Sequence, residues 1–387
     1  MPQTENTPAL RALYPTMIVA GVALITLGPL LDAIIADLGI ERAQGGTFAL
    51  AYFLGMNLSV LSLNFATGHF GSRRTLVAGA LVHAAGLVLF GAAPGGLGAL
   101  CAYYVIAGVG YGYLAIYPGI YVTSLVKTGT EAAMSRVFGF VGVGVTITPF
   151  VIGALLDRGF SWRAIVLGEA AIAAALAAFL ATARLNDIPG RKNLSLADLA
   201  TAWRFNRTLW IAVFIAVFLY VGSEGTFNIW LAKFHTDIHG AGPFRAGLAV
   251  TIFWSGLAIG RLGLSRLASQ RGSTSVLVAF SAAMAAGIVL TAYGPTLLLS
   301  ELFAFISGLA ASLIFPVATS YASRFPDWLA GPVYSSTIFA AGLGNALVPY
   351  AAGWIADLAG FRAAMACAAL PMAGVIWCSR RAECASA

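Results

Sequence analysis

Long apolar stretches of similar length, separated by short polar breaks, run the whole length of the chain. Twelve can be marked off, at 15–36, 46–67, 75–93, 99–123, 134–156, 162–184, 208–233, 245–268, 273–292, 296–322, 330–354 and 360–379. Each holds roughly 20 residues, the length of helix that crosses about 30 Å of hydrocarbon at 1.5 Å per residue. Most breaks are tight. The exception is 185–207, which contains Asp187, Pro189, Arg191, Lys192, Asp198, Arg204 and Arg207 and leaves six stretches on either side. This pattern predicts an N-terminal six-helix bundle (1–184), a cytoplasmic linker (185–207) and a C-terminal six-helix bundle (208–387). Within the linker, Leu194, Leu196, Leu199 and Trp203 supply an apolar face for a short helix lying on the membrane surface.

The two halves also match each other. Gly144, Pro149, Gly153 and Asp157 are answered 200 positions later by Gly344, Pro349, Gly353 and Asp357. Ser161-Trp162-Arg163-Ala164 has Gly360-Phe361-Arg362-Ala363 as its counterpart, one residue out of step. Glycine, proline and aspartate are chosen for backbone geometry or charge, so such a match is hard to reach through composition alone. A repeat of half the chain length in a hydrophobic protein implies two like bundles facing each other across a central site.

Composition changes the picture only by exclusion. With 59% hydrophobic and 10% charged residues, the 387-residue chain does not suit the two or three soluble domains its length would allow. Mean hydropathy of +0.87 belongs to a multi-spanning membrane protein. Cys101, Cys367, Cys378 and Cys384 show no metal-ligand spacing and no disulfide framework, and His69, His83, His235 and His239 form no cluster. No nucleotide loop or nucleophile motif is present, which argues against an enzyme. The polar start, Met1 to Arg11, runs into the first apolar stretch without a small-residue cleavage site, so that stretch is expected to be a retained helix.

Charge sets the orientation. Sixteen of the 22 lysines and arginines fall on the side of the termini and linker, against Arg42, Arg158, Arg163, Lys233, Arg245 and Arg362 on the other. The positive-inside rule therefore places both termini in the cytoplasm. The net charge of +7 reflects loops facing anionic lipid and requires no nucleic acid.

Charged and amide residues inside the apolar stretches are the candidates for chemistry. Asp32 lies 17 positions into helix 1, and Glu224 lies 17 positions past Arg207 in helix 7. Both sit at a depth of roughly 25 Å. A carboxylate in hydrocarbon costs a few kcal/mol and marks a pathway, a proton relay or an ion pair. Burial disfavours the charged form, so such groups can carry a proton near neutral pH. Asp32, near Asp37, can equally lie in the headgroup zone. Tyr220, Glu224 and Asn228 share one stripe of helix 7 at i, i+4, i+8. Asn57 and Asn345 are further mid-membrane amides that can bind substrate or lock helices together. Helix 4 carries Tyr103, Tyr104, Tyr111, Tyr113, Tyr117 and Tyr121, suited to lining a cavity, to packing or to interfacial anchoring. Arg261 can hold an anion, pair with a carboxylate or snorkel to the interface. His83 and Glu169 read as a packing or local pair, and Glu301 can face a vestibule.

At this point the chain resembles the major facilitator superfamily over nearly its whole length. The loop signature of that group survives in part as Gly68-His69-Phe70-Gly71-Ser72-Arg73-Arg74-Thr75-Leu76, with Gly68 where an aspartate is usual. Its second copy, Ala268-Ser269-Gln270-Arg271-Gly272, is also degenerate. Leu219-Tyr220-Val221-Gly222-Ser223-Glu224, with Trp230, is similar to helix 7 of the fucose-permease-like sugar–proton symporters. Trp254-Ser255-Gly256 through Gly260-Arg261-Leu262, and Gly342-Leu343-Gly344-Asn345, resemble their helices 8 and 11. The acidic and amide residues expected around Ala115 and Gly119 are absent, which weakens the case for a sugar.

The resemblance implies the major facilitator fold, an all-α membrane protein with helices 1, 4, 7 and 10 lining a cavity. The expected function is proton-coupled transport of a small organic solute in the cell (inner) membrane, with sodium as the alternative ion. Asp32 and Glu224 are the expected coupling groups, and Tyr220, Asn228, Trp254, Arg261, Asn345, Tyr111 and Asn57 the expected substrate contacts. A monomer in the lipid bilayer, without cofactor, metal or nucleic acid, completes this reading. Export of an amphipathic or drug-like compound is the runner-up, and a non-transporting membrane interaction protein on this fold is the alternative of another class.

Overall fold

The computed structural model describes residues 8–125, 130–187, 196–270 and 272–385, and these are almost entirely helical. Eleven helices are long and apolar enough to cross a membrane, and a bent pair makes a twelfth span. In chain order they are α1 (Leu13–Ile25 with Leu27–Leu38), α2 (Arg42–Leu63), α3 (Phe70–Ala92), α4 (Leu97–Val122), α5 (Arg136–Asp157) and α6 (Trp162–Thr182). They continue as α7 (Asp198–His239), α8 (Pro243–Leu264), α9 (Ser273–Tyr293), α10 (Leu297–Arg324), α11 (Trp328–Ala359) and α12 (Phe361–Cys384). The fold is a pair of six-helix bundles. The end carrying Asp187 and Asn206 is called the linker end below, and the opposite end the far end.

The sequence pattern is reproduced, with differences that have local causes. The single first stretch bends by 40° at Thr26. Pro29 lacks an N–H, so the Ile25 carbonyl loses its helical donor there. Stretch 10 is likewise broken, into Leu297–Ala311, Ile314–Ser320 and a 3-10 turn at Tyr321–Arg324. Of the surface helix expected in the linker, Leu194 lies outside the described residues. A helix does begin at Leu196, and Asn206 breaks it with φ −156° and ψ 85°. The Asn206 side chain accepts from Leu209 N at 3.0 Å, capping the spanning part of α7, and donates to Ala385 O.

At the linker end the backbone kinks at Gly71, at the start of α3, where a φ of 73° admits glycine with little strain. Asp187 reaches back to accept from Ser72 N at 2.8 Å, placing a carboxylate on the first turn of α3. Gly68 and His69 fall where side chains are not described.

The main contacts between the two bundles pair α1 with α7, α2 with α11, and α5 with α8. A methyl group on Gly247 of α8 would overlap the Pro149 carbonyl of α5, and one on Gly153 would lie 2.7 Å from Pro243 O. On the other side of the molecule a methyl on Gly353 of α11 would lie 3.0 Å from Arg42 O. Missing side chains let the backbones touch, as in other helix contacts within lipid.

Candidate functional site

Both broken helices expose a carbonyl to a side chain from a neighbour. The Asn228 amide of α7 donates to Leu24 O of α1 at 3.0 Å, and Gly28 of α1 packs directly on the Asn228 backbone. The Tyr52 hydroxyl of α2 donates to Ala23 O at 3.1 Å. On the opposite side, the Tyr220 hydroxyl of α7 lies 3.0 Å from Ala311 O, at the break in α10, and 2.9 Å from Glu224 Oε1. Interrupted helices that free backbone carbonyls near mid-membrane are where binding sites of this architecture form.

Glu224 sits one turn beyond Tyr220 and is half-buried. Gly260 of α8 packs on Ser312 at the same break in α10, and the next residue, Arg261, is exposed. The carboxylate expected to be unpartnered on its own helix therefore has a phenol beside it.

The remaining expected contacts divide between packing and open polar atoms. Asn57 of α2 donates to Phe53 O on its own helix and packs on Gly342 of α11, and its Oδ1 has no hydrogen-bond partner among the described residues. Asn345 of α11 lies against Gly225 of α7 and is half-buried. Trp254 is buried with its indole N–H unpartnered among the described residues, as is Asn228 Oδ1. Tyr111 is buried in an aromatic cluster, with its ring stacked on that of Tyr52 at a centroid distance of 5.2 Å, and Tyr52 also packs at a tilt against Tyr104. Tyr117 and Tyr121 are fully buried too, so much of the tyrosine-rich face of α4 is packing surface.

Asp32 is in a different setting from Glu224 despite the matched depth. It is 42% exposed and accepts an ion pair from Lys233 of α7 at 2.6 Å. Lys233 also holds Asp237 at 3.0 Å, one turn along its own helix. Asp237 in turn receives Arg42 of α2 at 2.8 Å, and Arg42 approaches Asp357 of α11 at 3.7 Å. Asp357 Oδ2 accepts from Ala43 N at 2.8 Å, at the first turn of α2. These five side chains join both bundles at the far end. Sequence reasoning counts Lys233 and Arg42 only as loop charges. The available signal was Lys233 and Asp237 at i, i+4, the spacing of a helical ion pair.

Hydrogen bonds and ion pairs that cross between the bundles include this network, Asn228 to Leu24, and Thr251 to Thr146 O at 2.9 Å. These lie between mid-depth and the far end. His83 and Glu169 pair at 3.4 Å within the first bundle, and Glu301 with Arg245 at 2.6 Å within the second. A surface crevice of about 400 Å³ between α5 and α8, lined by Phe150, Asp157, Arg158 and Phe244, is remote from Glu224.

Comparison with known proteins agrees with this architecture. Residues 13–336 match the family model described as Major Facilitator Superfamily. An uncharacterised transporter of that superfamily from Yersinia pestis is 24% identical over 355 residues, covering 91% of this chain and 90% of that one. Among solved structures, a bacterial homologue of the human lysosomal transporter Spinster, inward-facing and unoccupied, superposes with a TM-score of 0.79 at 14% identity, covering 97% of each chain. The nucleoside transporter NupG gives 0.77 at 15% identity over 97% of this chain and 98% of its own. The major facilitator transporter FucP, in its outward conformation, gives 0.67 at 17% identity over 96% and 97%. With twelve apolar spans in two bundles and a family match over most of its length, the chain belongs to the major facilitator superfamily.

Proposed function

We propose that the protein is a secondary active transporter that moves a small organic solute by alternating access, driven by protons, with Glu224 as the proton-carrying group. The observation that carries this reading is the Tyr220–Glu224 hydrogen bond, set at mid-depth where α10 is broken. A carboxyl group that takes up and gives up a proton there changes the local charge of the site.

The bundles 1–184 and 208–387 act as the moving units, with 185–207 connecting them. The polar contacts that bridge the bundles toward the far end support a state closed at that end. The positive-inside bias supports a far end that faces outside, with both termini in the cytoplasm. Asp32 belongs in this reading to the outer gate, through Lys233, and Asn228, Asn345, Asn57 and Trp254 supply polar atoms around the solute.

The test compares two modes of transport in liposomes. Glu224→Gln should retain counterflow exchange of substrate while losing accumulation under a pH gradient. Wild-type accumulation by Glu224→Gln would make Glu224 a structural residue and end the coupling assignment.

A further inference from the structure

Within the N-terminal bundle α3 and α6 are tied together at two levels. Toward the far end a methyl group on Gly91 would lie 3.3 Å from Arg163 O, and at mid-depth His83 pairs with Glu169 at 3.4 Å. Toward the linker end the side chains between them become small. Ala78 of α3 and Ala181 of α6 are both exposed, and with Arg73, Arg74, Val77 and Leu81 they line a crevice of about 340 Å³ on the outer face of the bundle.

The lining is ordered along one helix. Arg73, Val77 and Leu81 stand at i, i+4 and i+8 on α3, with Arg74 and Ala78 on the neighbouring row. From Arg73 to Leu81 the helix rises roughly 12 Å. The crevice therefore begins with two guanidinium groups at the linker-end surface and continues as an apolar trench into the hydrocarbon. Leu81, at its deep end, is 51% exposed. Arginines near a helix end send their charge to the membrane surface, and that alone needs no hollow beneath them. Here two alanines leave one, where larger apolar side chains would have met lipid equally well.

The mouth of the trench is positive. Arg73 and Arg74 are exposed and take part in none of the ion pairs among the described residues. Asp187 comes to the same helix start, where it accepts from Ser72 N at 2.8 Å and crowds Gly71. One carboxylate set against two guanidinium groups leaves a net positive charge.

Charge and shape together select the occupant. A soluble anion satisfies the arginines and leaves the trench empty. A zwitterionic lipid fills the trench but brings its own cation to a mouth that is already positive. An anionic phospholipid meets both demands, because its phosphodiester accepts from the guanidinium forks while its first methylenes lie along Val77 and Leu81. Basic pockets between spanning helices recognise anionic headgroups in this way.

We propose that the crevice between α3 and α6 binds one anionic phospholipid of the linker-end leaflet. Arg73 and Arg74 hold the headgroup, and Ala78 and Ala181 make room for the chain. The site is separate from Glu224 and does not depend on the proton-coupled reading.

The experiment places the full chain in phosphatidylcholine bilayers with a trace of lipid carrying a photoactivatable diazirine in its acyl chain. The headgroup of that probe is either phosphatidylglycerol or phosphatidylcholine, and labelled peptides are mapped by mass spectrometry after illumination. The peptide spanning Val77 to Leu81 should be labelled about tenfold more by the glycerol lipid, as expected for two cations at the surface. Arg73→Gln combined with Arg74→Gln should bring the ratio close to one. Ala78→Leu fills the trench and should lower labelling by the glycerol lipid severalfold with both arginines in place. Melting of these variants near the wild-type temperature in phosphatidylcholine shows that they fold.

Equal labelling of the wild type by the two probes would overturn the site, as would a preference that survives loss of both arginines. Wild-type labelling in Ala78→Leu would do so as well, because the trench would then have no part in binding. Replacing chloride by inorganic phosphate at constant ionic strength should leave the preference intact. Its loss would mark a site for a soluble anion and remove the lipid.

Discussion

Asp157 and Asp357 occupy matching places in opposite bundles. Each lies in the last turn of a helix at the far end, near the start of a helix in the other bundle. Asp357 Oδ2 takes a hydrogen bond from Ala43 N at the first turn of α2. Asp157 Oδ1 lies 3.9 Å from the position a Cβ on Gly242 would occupy, just ahead of α8. A carboxylate at a helix N-terminus is worth about 0.3–1 kcal/mol when exposed and more when partly buried. The glycines one turn earlier, Gly153 and Gly353, let the same two helix starts approach. The repeat in the sequence is thus a repeated contact between bundles.

Removing the Lys233 amine should open the far end. In Lys233→Met, Asp32 loses its partner across the bundles and Asp237 loses one of two cations. We expect the closed state to be weakened by about 1–2 kcal/mol, roughly tenfold in population, which lies between exposed and fully buried pairs. Electron–electron distance measurements between spin labels at Ala36 and Tyr293 should show a larger long-distance fraction. An unchanged distribution would remove the gate role.

The two mid-membrane amides of α7 and α11 should behave differently. Asn228→Ala loses the bond to Leu24 O and should lower thermal stability by about 1 kcal/mol. Asn345→Ala should leave melting unchanged and weaken solute binding by about 1–3 kcal/mol. Equal losses of stability and binding at Asn345 would assign it to helix packing.

At the linker end, Gly71→Ala should cost about 1–2 kcal/mol, from the strain of a Cβ at φ 73° and its collision with Asp187. Asp187→Asn keeps the size and gives up the charge on the α3 N-terminus, so it should cost less, about 0.3–1 kcal/mol. Thermal melting of both variants checks the order, and a costlier Asp187→Asn would show that the strain is not the larger effect.

Topology can be checked with a thiol already present. Cys384 is exposed near the C-terminus, and Gly95 is exposed between α3 and α4. A membrane-impermeant maleimide applied to intact cells should label an engineered cysteine at Gly95 and spare Cys384. Inside-out vesicles should give the opposite pattern. Labelling of both from one side would reverse or break the assigned topology.

Span positions were legible because each depends on local chain properties, namely twenty apolar residues and a polar break. The bends at Thr26 and Ser312 were not, since a proline such as Pro29 or Pro316 marks a weakened hydrogen bond without fixing where the helix breaks. Tyr220 and Glu224 were legible as a pair because i, i+4 spacing on one helix is a sequence property. The contact of Tyr220 with Ala311 O was not, because it depends on how α7 and α10 pack against each other. Asp32 illustrates the same limit. Its depth was readable from the helix rise, but its partner lies on another helix, 201 positions away.

The double hold on Lys233 bears on how fast the molecule can turn over. Of its two aspartates, Asp237 rides on the same helix and stays with it when the bundles part, whereas Asp32 leaves with the other bundle. The amine is only 9% exposed, so a lone partner would strand an uncompensated cation on separation. With Asp237 in attendance the departing Asp32, already 42% exposed, gains water without that penalty. The clasp can therefore favour one resting state and still release with a low kinetic barrier.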